Sequence, residues 1–555
     1  MEKRTILAFV LSFVVLIGWS YLYRPKQEVI TPKEEGILER AEKSVPESTK
    51  PTTFTPSISS KAAQEHIGPT ASETQEKEVR VETPLYSIVF SSRNACIKSF
   101  KLNEYRLTKE SDSPPVELVS LEDSNEDFFS AHFSQRTASE AEGIIYLADE
   151  ESIRLNPESA PRKLTFSYTR PDGLSIYQTF RFYPDRYDID LAVILKNNTQ
   201  GQIEGNIKTS LRNLPPQKKG SYYSFLGTSL LLNGKLEKIK PKKMKEEKYL
   251  SGQISWIAYE NDYFMNAIIP DEQEEGRFIG RTLESGVIRA SYLTPPVALS
   301  PFEQHTSEFT LYMGPRDLDI LKQLGKRLDL AINFGFFDII AKPLHYALRF
   351  FYGYVHNYGL AIIILTILIK IIFWPLTHKS YKSMKGMQKL QPLMAKIREK
   401  HKNDKQQMQK ELMGLYKTYK INPMGGCLPM VIQIPVFFAL FRILGASIEL
   451  RHTPFIFWIN DLSAPDRLFN FSFQIPFMSA PYGIPVLTLL MGASMFIQQK
   501  MTPTAGDPAQ AKIMMFLPII FTIMFINFPS GLVLYWLVNN ILSIGQQYRI
   551  KRGPS

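Results

Sequence analysis

The sequence predicts a polytopic α-helical membrane protein that carries an antiparallel β-sandwich domain outside the membrane and a helical hairpin in the cytoplasm. Two observations lead to this fold class. Six apolar segments are separated so that every short basic segment falls on the same side of the membrane, as the positive-inside rule requires. Between the first two apolar segments, the chain shows the period-two alternation of apolar and polar residues that is typical of antiparallel strands.

Positive charge is concentrated in the C-terminal part of the 555-residue chain. Residues 336–555 contain 23 Lys and Arg against 8 Asp and Glu, whereas the preceding residues contain 42 against 46. The excess flanks apolar segments, which is typical of cytoplasm-facing loops rather than of a nucleic-acid-binding patch. The two cysteines, Cys96 and Cys427, lie far apart with no C-x-x-C pair, so the sequence predicts neither a disulfide framework nor a zinc site.

Residues 1–24 form the first apolar segment, which is uncharged from Thr5 to Tyr23. No small-x-small cleavage site follows it, and aromatic residues mark its outer end. We therefore interpret it as an uncleaved transmembrane anchor with its N-terminus in the cytoplasm. Residues 25–80 are rich in Glu, Lys, Pro, Ser and Thr, and this composition predicts a disordered linker on the outer side of the membrane.

Residues 81–335 predict the β-sandwich domain. Segments such as VRVETPLYSIVF and DIDLAVILKN alternate apolar and polar residues and are separated by Gly, Pro, Asn and Asp. The eight histidines of the chain show no metal-ligand spacing, so a scaffold or docking role is favoured for this domain. The next segment, residues 336–352, has apolar residues at three- and four-residue steps and predicts an amphipathic helix on the outer membrane surface.

Residues 353–548 predict a membrane core of five helices. These are expected near 356–376, 427–446, 484–499, 513–528 and 531–547. Within this core, residues 378–422 contain 12 Lys and Arg against three acidic residues. Apolar residues recur there at helical steps on both sides of the polar run HKND, which predicts a cytoplasmic antiparallel helical hairpin. The basic residues fix the topology, and binding of a partner to the exposed face of the hairpin is a further hypothesis.

Lys370 lies inside the predicted helix 356–376. A charge within a span costs several kcal/mol, so it indicates a functional site unless the side chain reaches the membrane surface. That snorkelling alternative stays open, because the end of the span is only about 9 Å away along the helix axis. Thr366 lies one turn before Lys370 on the same helix face, and Gln433 is a polar residue in the middle of the next span. These three residues predict a polar groove in the core.

The sequence contains no motif of an enzyme or a nucleotide-binding protein. It lacks G-x-x-x-x-G-K-[ST], H-E-x-x-H and G-x-S-x-G, so we expect no catalytic residues, no cofactor and no metal. An ion- or solute-coupled transporter that uses Lys370 is an alternative. Such a transporter would need an acidic partner for the lysine, and none of the five predicted core helices contains Asp or Glu.

Several blocks closely resemble the YidC membrane protein insertases, which are relatives of the Oxa and Alb proteins of organelles. The blocks are NYGLAIIILTILIKIIFWPLT, LQPLMAKIREKHKNDKQQMQKELMGLYKTYKINPMGGCLPMVIQIPVFFAL, SIELRHTPFIFWINDLSAPD and PSGLVLYWLVNNI. The first apolar segment and the β-rich domain are similar to the form found in bacteria with an outer membrane. The resemblance implies an insertase and chaperone that inserts and helps to fold inner-membrane proteins, alone or with the Sec translocon.

The resemblance also implies roles for particular residues. Lys370 occupies the position of the family's groove cation, usually Arg, with Thr366 and Gln433 at other groove positions. An apolar slide for the substrate's transmembrane segment is implied at Ile434, Phe437, Met524 and Trp536. No predicted core helix contains an acidic residue, so the partner of Lys370 is expected to come from outside the chain. The resemblance implies that this partner is the substrate.

The implied partners are nascent membrane proteins, the Sec translocon, the ribosome or targeting machinery at the basic hairpin, and membrane lipid. No specific nucleic acid is expected. The implied location is the bacterial inner membrane, with both termini in the cytoplasm and the β-sandwich domain in the periplasm.

Overall fold

A computed structural model of the chain describes residues 75–552 with eight gaps. The gaps are residue 111, residue 120, 122–126, 136–142, 216–224, residue 273, 420–427 and 502–507. The predicted anchor at 1–24, most of the predicted linker and Cys427 lie outside the described residues.

The described strands, numbered in chain order, all precede the helical part except for the last two. They are β1 Glu78–Glu82, β2 Tyr86–Ser91, β3 Cys96–Arg106, β4 Pro115–Glu117, β5 Phe129–Gln135, β6 Leu147–Ala148, β7 Ser152–Arg154, β8 Arg162–Thr169, β9 Leu174–Phe182, β10 Asp188–Asn197, β11 Ile203–Asn213, β12 Gly227–Leu232, β13 Lys235–Ile239, β14 Lys248–Glu260, β15 Phe264–Pro270, β16 Glu275–Thr282, β17 Ile288–Leu293, β18 Val297–Leu299, β19 Gln304–Pro315, β20 Leu468–Phe471 and β21 Tyr482–Ile484.

The β-rich domain consists of a 14-stranded and a 5-stranded sheet. In the larger sheet, one arm (β15–β19–β10–β9–β8) and a second arm (β16–β17–β11–β5) face each other. Phe129 of β5 lies 6.3 Å from Phe180 of β9 between ring centroids, and Gln178 donates a hydrogen bond to the Ala131 carbonyl. Phe90 of the smaller sheet packs on Phe180 at 4.9 Å. Among the described strands only the pair β1–β7 is parallel, so the predicted antiparallel β-rich domain is present.

The predicted end of the linker 25–80 is wrong by several residues. β1 begins at Glu78, and its sequence EVRVE alternates exposed and buried side chains. Val79 and Val81 are buried, and Val79 pairs with Phe90 of β2. Because each apolar residue of this short alternation faces the core, the segment gains enough burial to join the sheet.

The described helices lie mainly in the C-terminal half. They are α1 Leu318–Gln323, α2 Asp338–Val355, α3 Tyr358–Lys400, α4 Lys405–Thr418, α5 Leu428–Ala446, α6 Val486–Met501, α7 Pro508–Phe525 and α8 Ser530–Arg552, with short 3₁₀ turns at Pro241–Lys243, Leu328–Ala331, Gly335–Phe337 and Ile448–Leu450. Within the described part of the chain, α3 is the one helix long and apolar enough to cross a membrane by length and composition. Shorter apolar stretches occur at Ile432–Ala446 and Met515–Phe525.

α3 combines the predicted span 356–376 and the first helix of the predicted hairpin in one helix. The sequence pattern predicts them as two separate helices. α3 runs for 43 residues without interruption through two internal prolines. After the turn, the Asp404 carboxylate accepts hydrogen bonds from two backbone N–H groups at the start of α4. Tyr416 of α4 then lies with its Oη 3.8 Å from the Met394 Sδ of α3. The basic hairpin is therefore a continuation of the first core helix.

The predicted amphipathic helix 336–352 is present with shifted ends, since α2 covers Asp338–Val355. It ends where His356 adopts a left-handed backbone conformation, with φ 51°. Its inner side buries Ala341, His345 and Leu348. Its outer side exposes a stripe of apolar residues, namely Ile339, Tyr346, Phe350 and Tyr354.

α6 and α7 approach each other closely at Gly492. A Cβ atom at this position would lie 2.2 Å from the Thr522 Oγ1, far inside van der Waals contact. The Thr522 hydroxyl is held by donation to the Pro518 carbonyl at 2.7 Å, so its position is defined within its own helix. Small residues at such crossings allow the backbones of membrane helices to pack tightly.

We expect Gly492→Ala to force α6 and α7 apart and to lower the free energy of unfolding by about 1–3 kcal/mol, the usual cost of overpacking. Gly545→Ala is the matched control, because Gly545 lies in α8 and an added Cβ there would have no neighbour within 4 Å. Thermal unfolding of both purified variants in detergent measures the difference. Equal midpoints would contradict the close helix contact.

Candidate functional site

The most polar part of the helical core lies between α3 and α8. The Lys370 side chain is only 8% exposed. Its Nζ donates to the Ser543 Oγ at 2.6 Å and to the Asn539 Oδ1 at 3.1 Å. The ammonium is therefore held between two neutral oxygens of the last helix. The snorkelling alternative does not apply to this structure, because the side chain extends to α8 rather than to the end of α3.

Polar residues of α8 repeat at steps of four, four and three residues and so share one helix face. They are Tyr535, Asn539, Ser543 and Gln546. The Tyr535 hydroxyl accepts a hydrogen bond from the Gln433 Nε2 of α5 at 3.0 Å. At the other end of the stripe, the Gln546 Nε2 donates to the Thr377 Oγ1 of α3 at 2.9 Å. We call these three connections, at Gln433, Lys370 and Thr377, the polar ladder.

Two further polar residues lie close to the ladder. Asn540 of α8 donates to the Ser494 Oγ of α6 at 3.0 Å, so α6 joins α3, α5 and α8 as the fourth helix that contributes a polar side chain. Thr366 is buried one turn before Lys370, and its hydroxyl donates to the Ile362 carbonyl at 2.6 Å. Its hydrogen bond thus supports the helix that carries Lys370.

The four residues predicted for an apolar slide fall into two groups. Phe437 and Trp536 pack edge to face with ring centroids 4.9 Å apart, and Phe525 lies 5.2 Å from the same Trp536 ring. Ile434 and Met524, by contrast, expose their apolar side chains. The structure therefore places an aromatic cluster at the junction of α5, α7 and α8, with exposed apolar side chains on α5 and α7.

Comparison with known proteins covers almost the whole chain. Residues 350–554 match the family described as the 60 kDa inner membrane protein, and residues 78–347 match the YidC periplasmic domain. The chain is 41% identical over 562 residues to the membrane protein insertase YidC of Syntrophobacter fumaroxidans, covering 100% of both chains. It is 42% identical over 560 residues to the YidC of Syntrophus aciditrophicus, again covering 100% of both. The chain belongs to the YidC family of membrane protein insertases.

Membership confirms the resemblance and the insertase function predicted from the sequence. The YidC family is an inner-membrane family of insertases and chaperones and not an enzyme family. A solved structure described as an active YidC insertase with its first transmembrane domain resolved is 17% identical, with a TM-score of 0.36, and covers 86% of this chain and 93% of that chain.

Sequence reasoning missed the groups that contact Lys370. It expected the partner of the lysine to come from outside the chain, whereas Asn539 and Ser543 contact it from within. The signal was present as polar residues at helical spacing in the apolar segment LVLYWLVNNILSIGQQ. Neutral oxygens satisfy the hydrogen bonds of an ammonium without cancelling its charge, so the site in this YidC relative keeps its attraction for an anion.

A charged cluster links α2 to the end of α5 that lies opposite the hairpin. The Glu449 Oε1 lies 3.5 Å from the His345 Nε2 and 3.9 Å from the Arg349 Nε. Arg349 also pairs with Asp319 of α1, the helix that follows the β-rich domain. Burial raises the pKa of Glu449, but the hydrogen bond and charge of His345, together with Arg349, outweigh it and hold the pKa below its ordinary value.

We expect the stability of the YidC-like core to fall as the pH drops below 4.5, the ordinary pKa of a glutamate. A depressed folded-state pKa contributes stability above the unfolded pKa, and this contribution is lost as the pH falls through the folded pKa. Glu449→Gln should flatten this acid dependence and lower the neutral-pH stability by about 1–3 kcal/mol. Thermal midpoints measured against pH check this, with the exposed Glu158→Gln as control. The same acid slope in Glu449→Gln and the parent protein would contradict it.

Proposed function

We propose that this insertase receives the polar leading segment of a nascent membrane protein at the polar ladder. The observation that supports this most is the buried ammonium of Lys370 between the neutral oxygens of Asn539 and Ser543. An acidic side chain of a substrate would interact more strongly with the ammonium than either neutral oxygen does, because charge-assisted pairs are the stronger hydrogen bonds. The substrate would thus replace contacts that the chain makes in its resting state.

The transmembrane segment of the substrate passes along the exposed apolar side chains of α5 and α7, where Ile434 and Met524 lie. Phe437 and Trp536 form the packed layer behind them. Burial of apolar surface releases about 25 cal/mol per Å², so a segment of membrane-spanning length supplies the driving force without nucleotide hydrolysis. The ion-coupled transporter is disfavoured, because the predicted spans supply no acidic partner for Lys370.

The finer topology belongs to the same proposal. Six spans, with the anchor at 1–24 as the first, place both termini and the hairpin 378–422 in the cytoplasm. The 12 Lys and Arg of that hairpin support this orientation. The β-rich domain then lies in the periplasm. The exposed basic face of the hairpin is available to the ribosome or targeting machinery, and the helical core is available to the Sec translocon and to lipid, with no specific nucleic acid as a partner.

Site-specific photocrosslinking to a stalled nascent chain tests the path. A photoreactive amino acid at position 433 should crosslink to the polar leading segment, and one at position 524 to the apolar segment. Ile541 supplies the control position, because it lies in α8 and is also exposed and apolar. Crosslinks of equal yield from positions 433, 524 and 541 would contradict a defined path along the ladder and slide.

A further inference from the structure

The connection between α5 and α6 contains a long uncharged segment. Residues 468–485, LFNFSFQIPFMSAPYGIP, include four Phe and one Tyr but no Asp, Glu, Lys, Arg or His. We call this segment the aromatic loop. Three of its phenylalanines are strongly exposed, Phe469 at 68%, Phe473 at 63% and Phe477 at 81%. An exposed apolar cluster of this kind marks a surface that contacts something other than water.

One side of the aromatic loop is attached to the start of α6. β20 pairs with β21, with Leu468 opposite Ile484. The two strands approach so closely that a Cβ on Gly483 would lie 2.1 Å from the Phe469 carbonyl oxygen. Because α6 begins at Val486, this register places Leu468 opposite a residue that is two positions before the apolar helix, and Phe469 follows it directly.

The other side of the loop is attached to the end of α7. Asn527, two residues beyond that helix, donates to the Phe477 carbonyl at 2.8 Å and accepts from the Ser479 N–H at 2.7 Å. The Arg467 guanidinium donates to the Ile526 and Pro481 carbonyls, each at 2.8 Å. Backbone polar groups are thus bonded at the base of the loop, while three of its four phenyl rings remain exposed.

The backbone conformation of the aromatic loop also indicates that the loop is held in a defined position. Phe469 and Phe477 adopt left-handed conformations, with φ 58° and 64°. This region is uncommon for non-glycine residues and is rarer for bulky ones, so surrounding contacts must hold it. The hydrogen bonds of Asn527 and Arg467 supply such contacts.

The surface next to the loop indicates what covers it. α6 and α7, the two helices to which the loop is attached, expose apolar side chains along their length, at Leu489, Leu490, Phe496, Ile497, Ile519, Ile520 and Ile523. In an inner-membrane protein these sides face acyl chains, and the aromatic loop continues the same surface at the ends of both helices. An uncharged surface also offers no ion pair that would fix the register of a protein partner.

We propose that the aromatic loop lies in the headgroup–acyl boundary of the leaflet opposite the hairpin, with Phe469, Phe473 and Phe477 in contact with lipid. Aromatic and apolar side chains are favoured at this depth, about 5–10 Å into the interface. The loop would anchor the outer ends of α6 and α7. This placement depends on the membrane core alone and not on the polar ladder.

Spin-label accessibility in the full-length protein tests the placement. Phe469→Cys and Phe477→Cys are labelled separately, with Cys427 replaced by serine and the buried Cys96 retained. The protein is held in nanodiscs of phosphatidylethanolamine and phosphatidylglycerol. Collisions with oxygen, which concentrates in acyl chains, are compared with collisions with a water-soluble nickel chelate. Unchanged thermal midpoints establish that the labelled proteins are folded.

Phe302→Cys is the matched control. Phe302 is also a strongly exposed phenylalanine, at 69%, and has a left-handed φ of 61°. Phe302 lies just before β19, and the chain leads to the membrane core from the other end of this strand. Position 302 is therefore about 35–40 Å from that end, measured along the strand.

We expect the oxygen-to-nickel ratio at positions 469 and 477 to exceed that at position 302 by about threefold or more, as an interfacial depth implies. A ratio equal to that at position 302 would place the loop in water and overturn the proposal. Low access to both reagents would also overturn it, in favour of coverage by a second copy of the chain.

A conservative variant provides a second measurement. Phe477→Trp retains an aromatic ring, and its added fluorescence should be quenched by lipids brominated near the headgroup. No quenching beyond that of the parent protein would overturn the proposal independently of spin labelling.

Discussion

Lys370→Glu is expected to reduce insertion of a substrate with an acidic leading segment by about tenfold or more, which corresponds to about 1.4 kcal/mol of lost interaction. The carboxylate would repel the acidic segment and would still accept hydrogen bonds in the polar interior. Lys370→Arg should retain insertion, because it keeps the charge, and Lys370→Leu should fall between the two. Protease protection of a small two-span substrate in proteoliposomes measures each variant.

Lys379→Glu is the matched control for charge reversal. It lies on the same helix, nine residues beyond Lys370, and its side chain is exposed. A matched substrate whose acidic residues are replaced by amides should lose its sensitivity to Lys370→Glu. Equal insertion by Lys370→Glu and the parent protein, or an equal loss in Lys379→Glu, would contradict a role for the buried ammonium.

Asp466→Ala is expected to destabilise the membrane core by about 2–5 kcal/mol, because it leaves one buried and one partly buried donor without an acceptor. The Asp466 carboxylate is buried. It accepts from the Trp458 Nε1 at 2.7 Å and from the backbone N–H of Leu487 at 2.5 Å, in the first turn of α6. Asp466 therefore caps α6 and ties the outer loop to it. Thermal unfolding, together with hydrogen exchange at the start of α6, measures the loss.

Two further variants test whether the loss of stability comes from the capping role of Asp466. Asp466→Asn keeps one carbonyl oxygen as an acceptor and should lose less stability than Asp466→Ala. Asp185→Ala removes an exposed carboxylate from the β-rich domain and should leave α6 exchange unchanged. Faster exchange at α6 in Asp185→Ala, or unchanged exchange in Asp466→Ala, would exclude the capping role.

Local sequence patterns predicted the type of each helix and strand more accurately than the residues at which it begins and ends. The strand pattern EVRVE spans the predicted linker boundary at residue 80, because the Pro-, Ser- and Glu-rich composition of the linker extends up to it. Its pairing with β2 decides that it is a strand. Likewise, the change from apolar to basic residues after Thr377 predicted two helices, whereas helical hydrogen bonding continues through that change because both compositions form helix well.

In the candidate site, likewise, single residues were recognisable from the sequence but their contacts were not. Lys370 was recognisable from the sequence, because a charge in an apolar segment is costly wherever the segment packs. Gln433 was recognisable as a polar residue in the middle of an apolar segment, but Tyr535, to which it donates, was not. The aromatic loop is visible in the sequence as an uncharged, Phe-rich run before the predicted helix 484–499, while its attachment to Asn527 depends on contacts about 50 residues apart in the chain.

The sequence by itself determined the membrane core, the β-rich domain and the presence of a cation in the core, because composition and periodicity report these directly. The family was identified separately, from the resemblance of its motif blocks. Only the tertiary structure decided which groups surround that cation. Asn539 and Ser543 are 169 and 173 residues from Lys370 along the chain. Helical periodicity states which residues share a face, but which faces meet is set by the packing of α3 against α8.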